Sequence, residues 1–317
     1  MPESPTVRLH ARDHVFELGS TPLLMGIVNP TPDSFYDGGA CIEHDAAVAR
    51  GRELLEAGAD LIDVGGESGV TNVEAITPEE EMRRVCPVIE RLTGEFGAIV
   101  SVDTYKPAVA RAAIDAGASI VNDPSGLTDP ELARVCATTG VALVVTHTRA
   151  RPKHKLESPR YADVIEDVKR FLRGRLRLAT SLGVRPQQLL ICPGPDLGKG
   201  PAQTIELLRR LGELHELARP ILLAVSRKDF VGAVLERPPR ERLAGTLAAV
   251  AHGVTLGAHV LRLHDVAEAR DFLLVGAALD GSLAVPPQLR LPEELRREAA
   301  AGTKPATKRW SYEEEVA

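Results

Sequence analysis

Residues 98–122, AIVSVDTYKPAVARAAIDAGASIVN, contain one complete unit of the pattern that decides the fold. The apolar run at 98–102 has the length and composition of a buried strand, and a helix-length amphipathic stretch follows it. An Ala-Gly-Ala stop at 116–118 ends that helix before the next strand-type run, SIVN at 119–122. Because the strand runs are continuously apolar, they are typical of parallel strands that are covered on both faces.

The same unit recurs along the chain at an average spacing of roughly 34 residues, the size of a βα repeat. The strand-type runs are residues 23–28, 60–64, 98–102, 119–122, 142–146, 189–192, 221–225 and 259–263. Between two of them, TPEE at 77–80 places a capping threonine before a proline and two acids, which predicts the start of a helix. Eight such units in series predict an α/β fold of the (β/α)8 TIM-barrel type. The alternative, an open doubly wound sheet, would be large at eight strands, and no GxGxxG sequence follows the first strand.

Two end segments lie outside the repeat. Residues 7–18, VRLHARDHVFEL, alternate between apolar and polar residues and predict a small hairpin that plugs the bottom of the barrel. After about residue 283 the sequence becomes rich in proline and then in charge, which predicts a flexible tail with a short helix. We expect an N-terminal hairpin segment over residues 1–20, a barrel over 21–283 and a tail over 284–317.

The composition argues against several classes of protein. The chain has 317 residues, of which 44% are hydrophobic and 26% charged, as in an ordinary globular protein. Acidic residues outnumber basic ones, 44 to 38, which argues against a nucleic-acid partner. No apolar run approaches the roughly 20 residues that span a bilayer, and the N-terminus lacks the apolar segment of a signal peptide. The four cysteines are far apart without a CxxC pair, so we expect a cytoplasmic protein with no membrane partner.

Polar residues follow every predicted strand, at the end where barrel enzymes keep their chemistry. In strand order they are Asn29, Asp63, Asp103-Thr104, Asn122-Asp123, His147, Cys192, Ser226-Arg227-Lys228 and Arg262 with His264. A single Asp at such a place is more often the cap of the next helix than a catalyst. Several unpaired polar groups gathered on one rim would cost about 1–3 kcal/mol each without a ligand or mutual hydrogen bonds. The grouping therefore favours a binding site.

The residue types indicate a flat heterocycle attached to a phosphate group. Asp103 and Asn122 can offer a carboxylate and an amide to amino and lactam edges, and Lys228 can donate to a ring oxygen or nitrogen. Arg262 and His264 lie two apart on a strand and therefore point the same way, which predicts a cationic patch for phosphate or pyrophosphate. A ring beside an anion site implies that a phosphate-type leaving group is displaced.

Six motifs resemble those of the dihydropteroate synthase family of pterin-binding TIM barrels. They are MGIVNPTPDSFYDGG (25–39), DVGGES (63–68), SVDTYKP (101–107), VND (121–123), SRKDFVG (226–232) and LRLHDV (261–266). The resemblance implies condensation of 6-hydroxymethyl-7,8-dihydropterin pyrophosphate with 4-aminobenzoate, giving 7,8-dihydropteroate and pyrophosphate in folate biosynthesis. It also implies Mg²⁺ as cofactor and a homodimer.

The resemblance implies roles for individual residues. The implied catalytic residues are Asp103, Lys228, Arg262 and His264. The implied substrate-binding residues are Asn29, Asp63, Asp103, Asn122, Cys192, Asp196, Ser226, Lys228, Arg262 and His264. Asn29 would contact Mg²⁺, and Ser226 would lie near the 4-aminobenzoate carboxylate. The loop with Asp33, Ser34 and Asp37 would close over the substrates.

The chain departs from the family pattern around this site. Cys192 stands where the family usually has an aspartate that binds the pterin amino group and ring nitrogens, and Asp196 is a candidate replacement. Gly69 and Val70 stand where Thr and Arg usually follow GGES, and Leu197 replaces a usual Phe of the 4-aminobenzoate pocket.

These departures leave two alternatives open beside a working synthase. One is a family member that binds a pterin but lacks synthase activity. The other is a pterin-dependent methyltransferase. The SRK and Arg-x-His sequences argue against the methyltransferase, because a methyl carrier has no pyrophosphate to hold.

Overall fold

The computed structural model describes residues 7–19, 21–30, 44–69, 71, 74–154, 156 and 159–296. The strands are β1 (Val7–Ala11), β2 (His14–Leu18), β3 (Leu23–Val28), β4 (Leu61–Val64), β5 (Val100–Asp103), β6 (Ile120–Asp123), β7 (Ala142–Thr146), β8 (Leu189–Cys192), β9 (Leu222–Leu223) and β10 (Val260–Leu263). The α-helices are α1 (His44–Glu56), α2 (Pro78–Phe96), α3 (Pro107–Asp115), α4 (Glu131–Thr139), α5 (Val164–Ser181), α6 (Pro201–Arg209), α7 (Asp229–Leu235), α8 (Leu243–Thr255) and α9 (Val266–Asp280). Short 3-10 helices cover Pro186–Gln188, Leu211–Leu217, Pro239–Glu241 and Glu293–Leu295.

Strands β3 to β10 form one parallel sheet in the order β8-β7-β6-β5-β4-β3-β10-β9. A parallel bridge between Ile191 and Ile221 joins the β8 edge to the chain just before β9, so the sheet is nearly closed. Helices pack on the outside of the strands, as α1 does on β3 and α2 on β5. The predicted (β/α)8 barrel is confirmed. The seventh barrel strand is shorter than predicted, because only Leu222–Leu223 has strand geometry.

The N-terminal hairpin closes the lower end of this barrel. Strands β1 and β2 pair in antiparallel register, and their alternation places Leu9 and Ala11 on one buried face. Both side chains belong to a core cluster with Leu61, Ile120 and Val260, which lie at the first residues of barrel strands. The predicted hairpin plug is therefore confirmed.

The parallel register brings the carboxyl ends of the strands to one edge of the sheet. Asp103 on β5 lies directly opposite Asn122 on β6. Asp63 on β4 lies opposite Ile27 on β3 and Ser101 on β5. The polar residues that follow the apolar runs therefore lie at the same end of the barrel.

The chain forms two compact units, one ending at Phe272 and the other beginning at Leu273. The second unit includes the last two turns of α9 and the 3-10 helix near residue 293. The domain boundaries at residues 20 and 283 remain predictions, and residues 297–317 of the predicted tail lie outside the described ranges. Within those ranges, the helices are all too short or too polar to cross a membrane.

Substitution of Gly194, just after β8, tests the backbone geometry of the turn that follows this strand. Its φ is +64°, and a Cβ atom there would lie 2.0 Å from the backbone oxygen of His147. Gly194→Ala should therefore lower the free energy of unfolding by about 2–4 kcal/mol, measured by denaturant titration. Gly174→Ala inside α5 is the matched control, since its Cβ meets open space and alanine favours a helix by about 0.5–1 kcal/mol. Equal stability of Gly194→Ala and the parent protein would contradict the turn geometry.

Candidate active site

The mouth of the barrel joins side chains from β4, β5, β6 and β10 in one hydrogen-bonded network. Arg262 Nε donates to Asp63 Oδ2 at 2.5 Å, and Arg262 Nη2 donates to Asp103 Oδ2 at 2.7 Å. Asn122 Nδ2 donates to the same Asp63 oxygen at 3.1 Å. These four residues come from separate βα units, so only the closed barrel brings them together.

Two carboxylates share a single guanidinium in this network. Burial raises the pKa of Asp103 to about 7, the Arg262 charge opposes that rise, and the Asp63 charge adds to it. Burial alone would lower the pKa of Arg262, but the charges of Asp63 and Asp103 outweigh it and raise that pKa. Arg262 therefore stays charged, while Asp103 can gain or lose a proton near neutral pH.

Asp63 has a second oxygen with no partner among the described residues. Its Oδ2 accepts from both Arg262 and Asn122, whereas Asp63 Oδ1 is buried and accepts no hydrogen bond from any described group. A buried acceptor without a donor costs about 1–3 kcal/mol. An N–H group of a bound molecule would satisfy it, so this atom indicates a ligand with nitrogen donors.

Ser226 and His264 form a second, smaller pair at the ends of β9 and β10. The backbone N–H of His264 donates to Ser226 Oγ at 3.1 Å, and the same Oγ lies 2.9 Å from His264 Nδ1. Burial, together with the neighbouring Arg262 charge, lowers the pKa of His264 to about 3. The structure thus differs from the predicted cationic patch: Arg262 is its charged member, and His264 is neutral because its ring is desolvated.

Asn29 and Lys228 lie on the rim. A Cβ atom on Gly65 would be 3.1 Å from Asn29 Oδ1 and 3.4 Å from Asp103 Cβ, so these two side chains flank the bare Gly65 backbone. Lys228 is the residue before α7, and its ammonium group makes no ion pair or hydrogen bond with any described residue. Its charge is thus available to a ligand.

Cys192 ends β8 and is buried at the inner side of the mouth. Burial raises the pKa of its thiol, against the opposing effects of the Gly194 N–H and the Lys228 charge. The position that the family usually gives to a carboxylate therefore holds an uncharged thiol, which is a weak hydrogen-bonding group.

Asp196 has contacts of a different kind from those predicted. Its Oδ1 accepts from the Thr204 hydroxyl at 2.9 Å, and its Oδ2 accepts from the Phe230 N–H at 3.3 Å. Both carboxylate oxygens are therefore engaged with α6 and α7. These contacts favour a role in holding the turn after β8 over direct contact with a ligand in place of the missing aspartate.

The same turn is held by Lys199, which the sequence reasoning missed. Lys199 Nζ donates to the backbone oxygens of Gly194 at 2.8 Å and Leu197 at 3.2 Å, and to His147 Nδ1 at 2.7 Å. Burial lowers the pKa of Lys199 to about 7. The bond to its backbone oxygen positions Leu197, whose side chain is partly exposed. The one signal in the sequence was a lysine between two glycines at 198–200.

The loop after β4 is also anchored by a lysine that the sequence analysis did not single out. Lys106 Nζ donates to Glu67 Oε2 at 2.8 Å, to Glu81 Oε2 at 2.6 Å and to the Ile76 backbone oxygen at 2.8 Å. Gly69, in this loop, has open space around its Cβ position. Four other predicted positions lie outside the described residues: Asp33, Ser34, Asp37 and Val70.

The described part of the chain contains no group of three or more His, Cys, Asp or Glu side chains arranged for a metal ion. Asn29 offers one neutral amide oxygen at the rim. The mouth as a whole presents two carboxylates, two amides and two cations, which suit a polar, nitrogen-rich ring with an anionic substituent.

Comparisons with known proteins agree with this geometry. Residues 25–264 match the family described as pterin binding enzyme. The chain is 39% identical over 249 residues to dihydropteroate synthase of Escherichia coli K12, covering 78% of this chain and 88% of that protein. It is 40% identical over 259 residues to the Bacillus subtilis dihydropteroate synthase, covering 81% and 88% of the two chains. The structure of Xanthomonas albilineans dihydropteroate synthase in complex with 7,8-dihydropteroate superposes with a TM-score of 0.77 at 43% identity, covering 88% of this chain and all of that one. This chain therefore belongs to the dihydropteroate synthase family of pterin-binding enzymes.

Proposed function

We propose that this protein is a dihydropteroate synthase, a transferase of folate biosynthesis. It joins 6-hydroxymethyl-7,8-dihydropterin pyrophosphate to 4-aminobenzoate and releases pyrophosphate. The observation that supports this most strongly is the buried network of Asp63, Asp103, Asn122 and Arg262, with an unmatched acceptor at Asp63 Oδ1.

The pterin is the substrate that this network suits. Its amino and lactam edges present N–H donors, and Asp63 Oδ1 and Asp103 are the acceptors on the inner wall. Asn122 adds an amide, and Lys228 can donate to a ring oxygen or nitrogen. Because the pKa of Asp103 is about 7, this carboxyl group can match either protonation state of a ring nitrogen near neutral pH.

The proposed reaction needs no covalent nucleophile on the enzyme. The C–O bond to pyrophosphate breaks, the pyrophosphate keeps the electron pair, and the ring stabilises the electron-poor methylene carbon. The amine of 4-aminobenzoate then forms the C–N bond and loses a proton. Arg262 uses two of its five N–H donors on Asp63 and Asp103, so the others can meet phosphate oxygens, together with the neutral donor of His264. Positioning of the two substrates supplies much of the rate increase.

The donor set fits a magnesium ion held mainly by the substrate's pyrophosphate. Mg²⁺ usually keeps several waters and takes one or two protein oxygens in addition to phosphate. Asn29 Oδ1, beside Asp103, would be such an oxygen. When bound, the ion would neutralise charge on the leaving group.

The second substrate would enter from the rim. Ser226, whose hydroxyl is shared with His264, would lie near the carboxylate of 4-aminobenzoate. Leu197, on the turn held by Lys199, would contact its ring. Leucine offers apolar contact there without the stacking that an aromatic residue would add.

A second candidate function rests on Cys192. Its buried thiol is neutral, and the contacts of Asp196 direct the nearest alternative carboxylate towards α6 and α7. A family member with a weakened grip on the pterin could bind the ring without completing the reaction. Pyrophosphate release from the purified protein with Mg²⁺ and both substrates distinguishes the two candidates.

The proposed enzyme is a homodimer in the cytoplasm. The large apolar side chains exposed on helices of the first unit include Val234 and Leu235 on α7 and Phe272 on α9. Light scattering after gel filtration should therefore give twice the 34.0 kDa chain mass, and Val234→Asp should shift the protein towards the monomer. A monomer at micromolar concentration would contradict this part of the proposal.

Lys228 provides the sharpest test of the site. Lys228→Ala should reduce kcat/KM by at least about 100-fold, because a cation that meets the substrate is lost. The thermal unfolding midpoint should stay the same, because the ammonium group has no partner among the described residues. Arg177→Ala, an exposed arginine on α5, is the control for loss of one positive charge. Near-normal turnover of Lys228→Ala would refute the proposed site.

Cys192→Asp tests whether the missing carboxylate weakens pterin binding. A carboxylate bonded to ring nitrogens should lower KM for the pterin pyrophosphate about tenfold, since a hydrogen bond to a charged group contributes about 1.5–3 kcal/mol. Cys192→Ser, which restores no carboxylate, is the matched control and should leave KM nearly unchanged.

If the parent protein binds pterin but releases no pyrophosphate, Cys192→Asp combined with Gly69→Thr and Val70→Arg should restore activity. Failure of both Cys192→Asp variants to improve binding would show that this position does not face the ring.

A further inference from the structure

A polar cavity lies outside the proposed pterin site. It is formed by the loops that follow β6 and β7 together with helix α5, and its volume is about 380 Å³, within the range of small-molecule sites. Its charged lining consists of Arg149, Arg151, Arg170 and Arg175 and one acidic residue, Asp167. We call this cavity the arginine pocket. It uses none of the residues assigned above to the pterin site.

The single acid of the lining is already neutralised. Arg149 Nε donates to Asp167 Oδ1 at 3.1 Å, and Arg149 Nη2 and Arg170 Nη2 both donate to Asp167 Oδ2. His147 Nε2 lies 3.4 Å from Asp167 Oδ1 on the buried side. Burial by itself would raise the pKa of Asp167, but the Arg149 contacts outweigh it and lower that pKa. Asp167 thus remains ionised and holds two guanidinium groups in place.

The guanidinium groups of the other two arginines make no direct ion pair with a described carboxylate. Within the ranges that the structure describes, the side chains of Arg151 and Arg175 form no ion pair or hydrogen bond. The Arg175 guanidinium lies 5.1 Å from the centre of the Phe171 ring, which orients it without cancelling its charge. The acid that faces Arg175 from β6 is Asp123, whose two carboxylate oxygens accept the backbone N–H groups of Ser125 and Leu127.

The pocket is therefore a positive site on a protein whose formal net charge is −6. A cleft of one sign of charge attracts small ions of the opposite sign. Guanidinium groups bind phosphate oxygens through paired N–H donors, and the two unmatched groups come from different elements, the loop after β7 and α5. Their separation on two walls suits a ligand with more than one anionic group.

We propose that the arginine pocket binds a small molecule with two or more linked phosphate groups. Such a ligand has two sources, the pyrophosphate product and a cellular nucleotide, and both offer the same chemistry. The proposal is independent of the proposed synthase activity, because its residues and those of the pterin site do not overlap.

Calorimetric titration with inorganic tripolyphosphate tests the proposal. The Arg151→Ala/Arg175→Ala double variant should bind tripolyphosphate at least tenfold more weakly than the parent protein. The control is Arg177→Ala/Arg209→Ala, which removes the same total charge from exposed helix positions and should bind like the parent. Pyrophosphate release, measured in parallel, should be the same in both variants, so that failure of this proposal and failure of the proposed function can be told apart.

Parallel titrations identify the source and the chemistry of the ligand. Tighter binding of ATP than of pyrophosphate indicates a nucleotide, and equal binding indicates the product. Equal weakening in the test and control variants would overturn the proposal, since charge alone would then explain the binding. Binding of the tricarboxylate tricarballylate as tight as that of tripolyphosphate would also overturn the assignment to phosphate. If the double variant is unstable, the single variant Arg151→Ala replaces it in the test, because the Arg151 side chain is exposed. This variant should weaken tripolyphosphate binding by at least threefold.

Discussion

Arg262 lies between two carboxylates, Asp63 and Asp103, that would repel each other or take up a proton if they were buried alone. The carboxylates come from adjacent strands, β4 and β5, whereas Arg262 comes from β10 on the other side of β3. The pairing therefore requires the curved, nearly closed sheet. It holds the Asp63 carboxyl group buried at the mouth, where Oδ1 has no hydrogen-bond partner among the described residues.

The residues around this network divide into those that face the mouth and those that hold its loops. The three residues of the Ser226-Arg227-Lys228 segment illustrate the division. Ser226 contacts His264, and the Lys228 ammonium group is available to a ligand. Arg227 makes a bidentate ion pair with Asp265, with distances of 2.6 and 2.9 Å. Lys106 and Lys199 anchor other loops in the same manner. A buried cation with several acceptors can fix a loop firmly. Breaking one of its contacts leaves a charged group unpaired in an environment of low polarity, which is costly.

The departures from the family pattern fall at two places in the sequence, Gly69-Val70 after the GGES motif and Cys192 with Leu197 at the end of β8. The strands β4, β5 and β6 themselves keep Asp63, Asp103 and Asn122. Recognition of the ring in the proposed enzyme thus depends on the β4–β6 wall. The turn after β8 retains its geometry, because Gly194, Lys199 and Asp196 hold it through the backbone and through α6 and α7.

The sequence by itself determined the barrel, its N-terminal hairpin and the rim on which polar residues gather. Those features follow from apolar runs, helix stops and caps such as Thr77, whose hydroxyl accepts the Glu80 N–H as the local pattern predicts. Only the tertiary structure decided the partners and charge states at the mouth. Arg262 pairs with acids 159 and 199 residues away, His264 is neutral because burial desolvates it, and Asp196 turns towards Thr204. The arginine pocket likewise joins two loops and a helix with no shared motif. Local patterns express backbone preferences over a few residues, whereas side-chain pairing and desolvation depend on which distant groups the closed fold brings within a few ångströms.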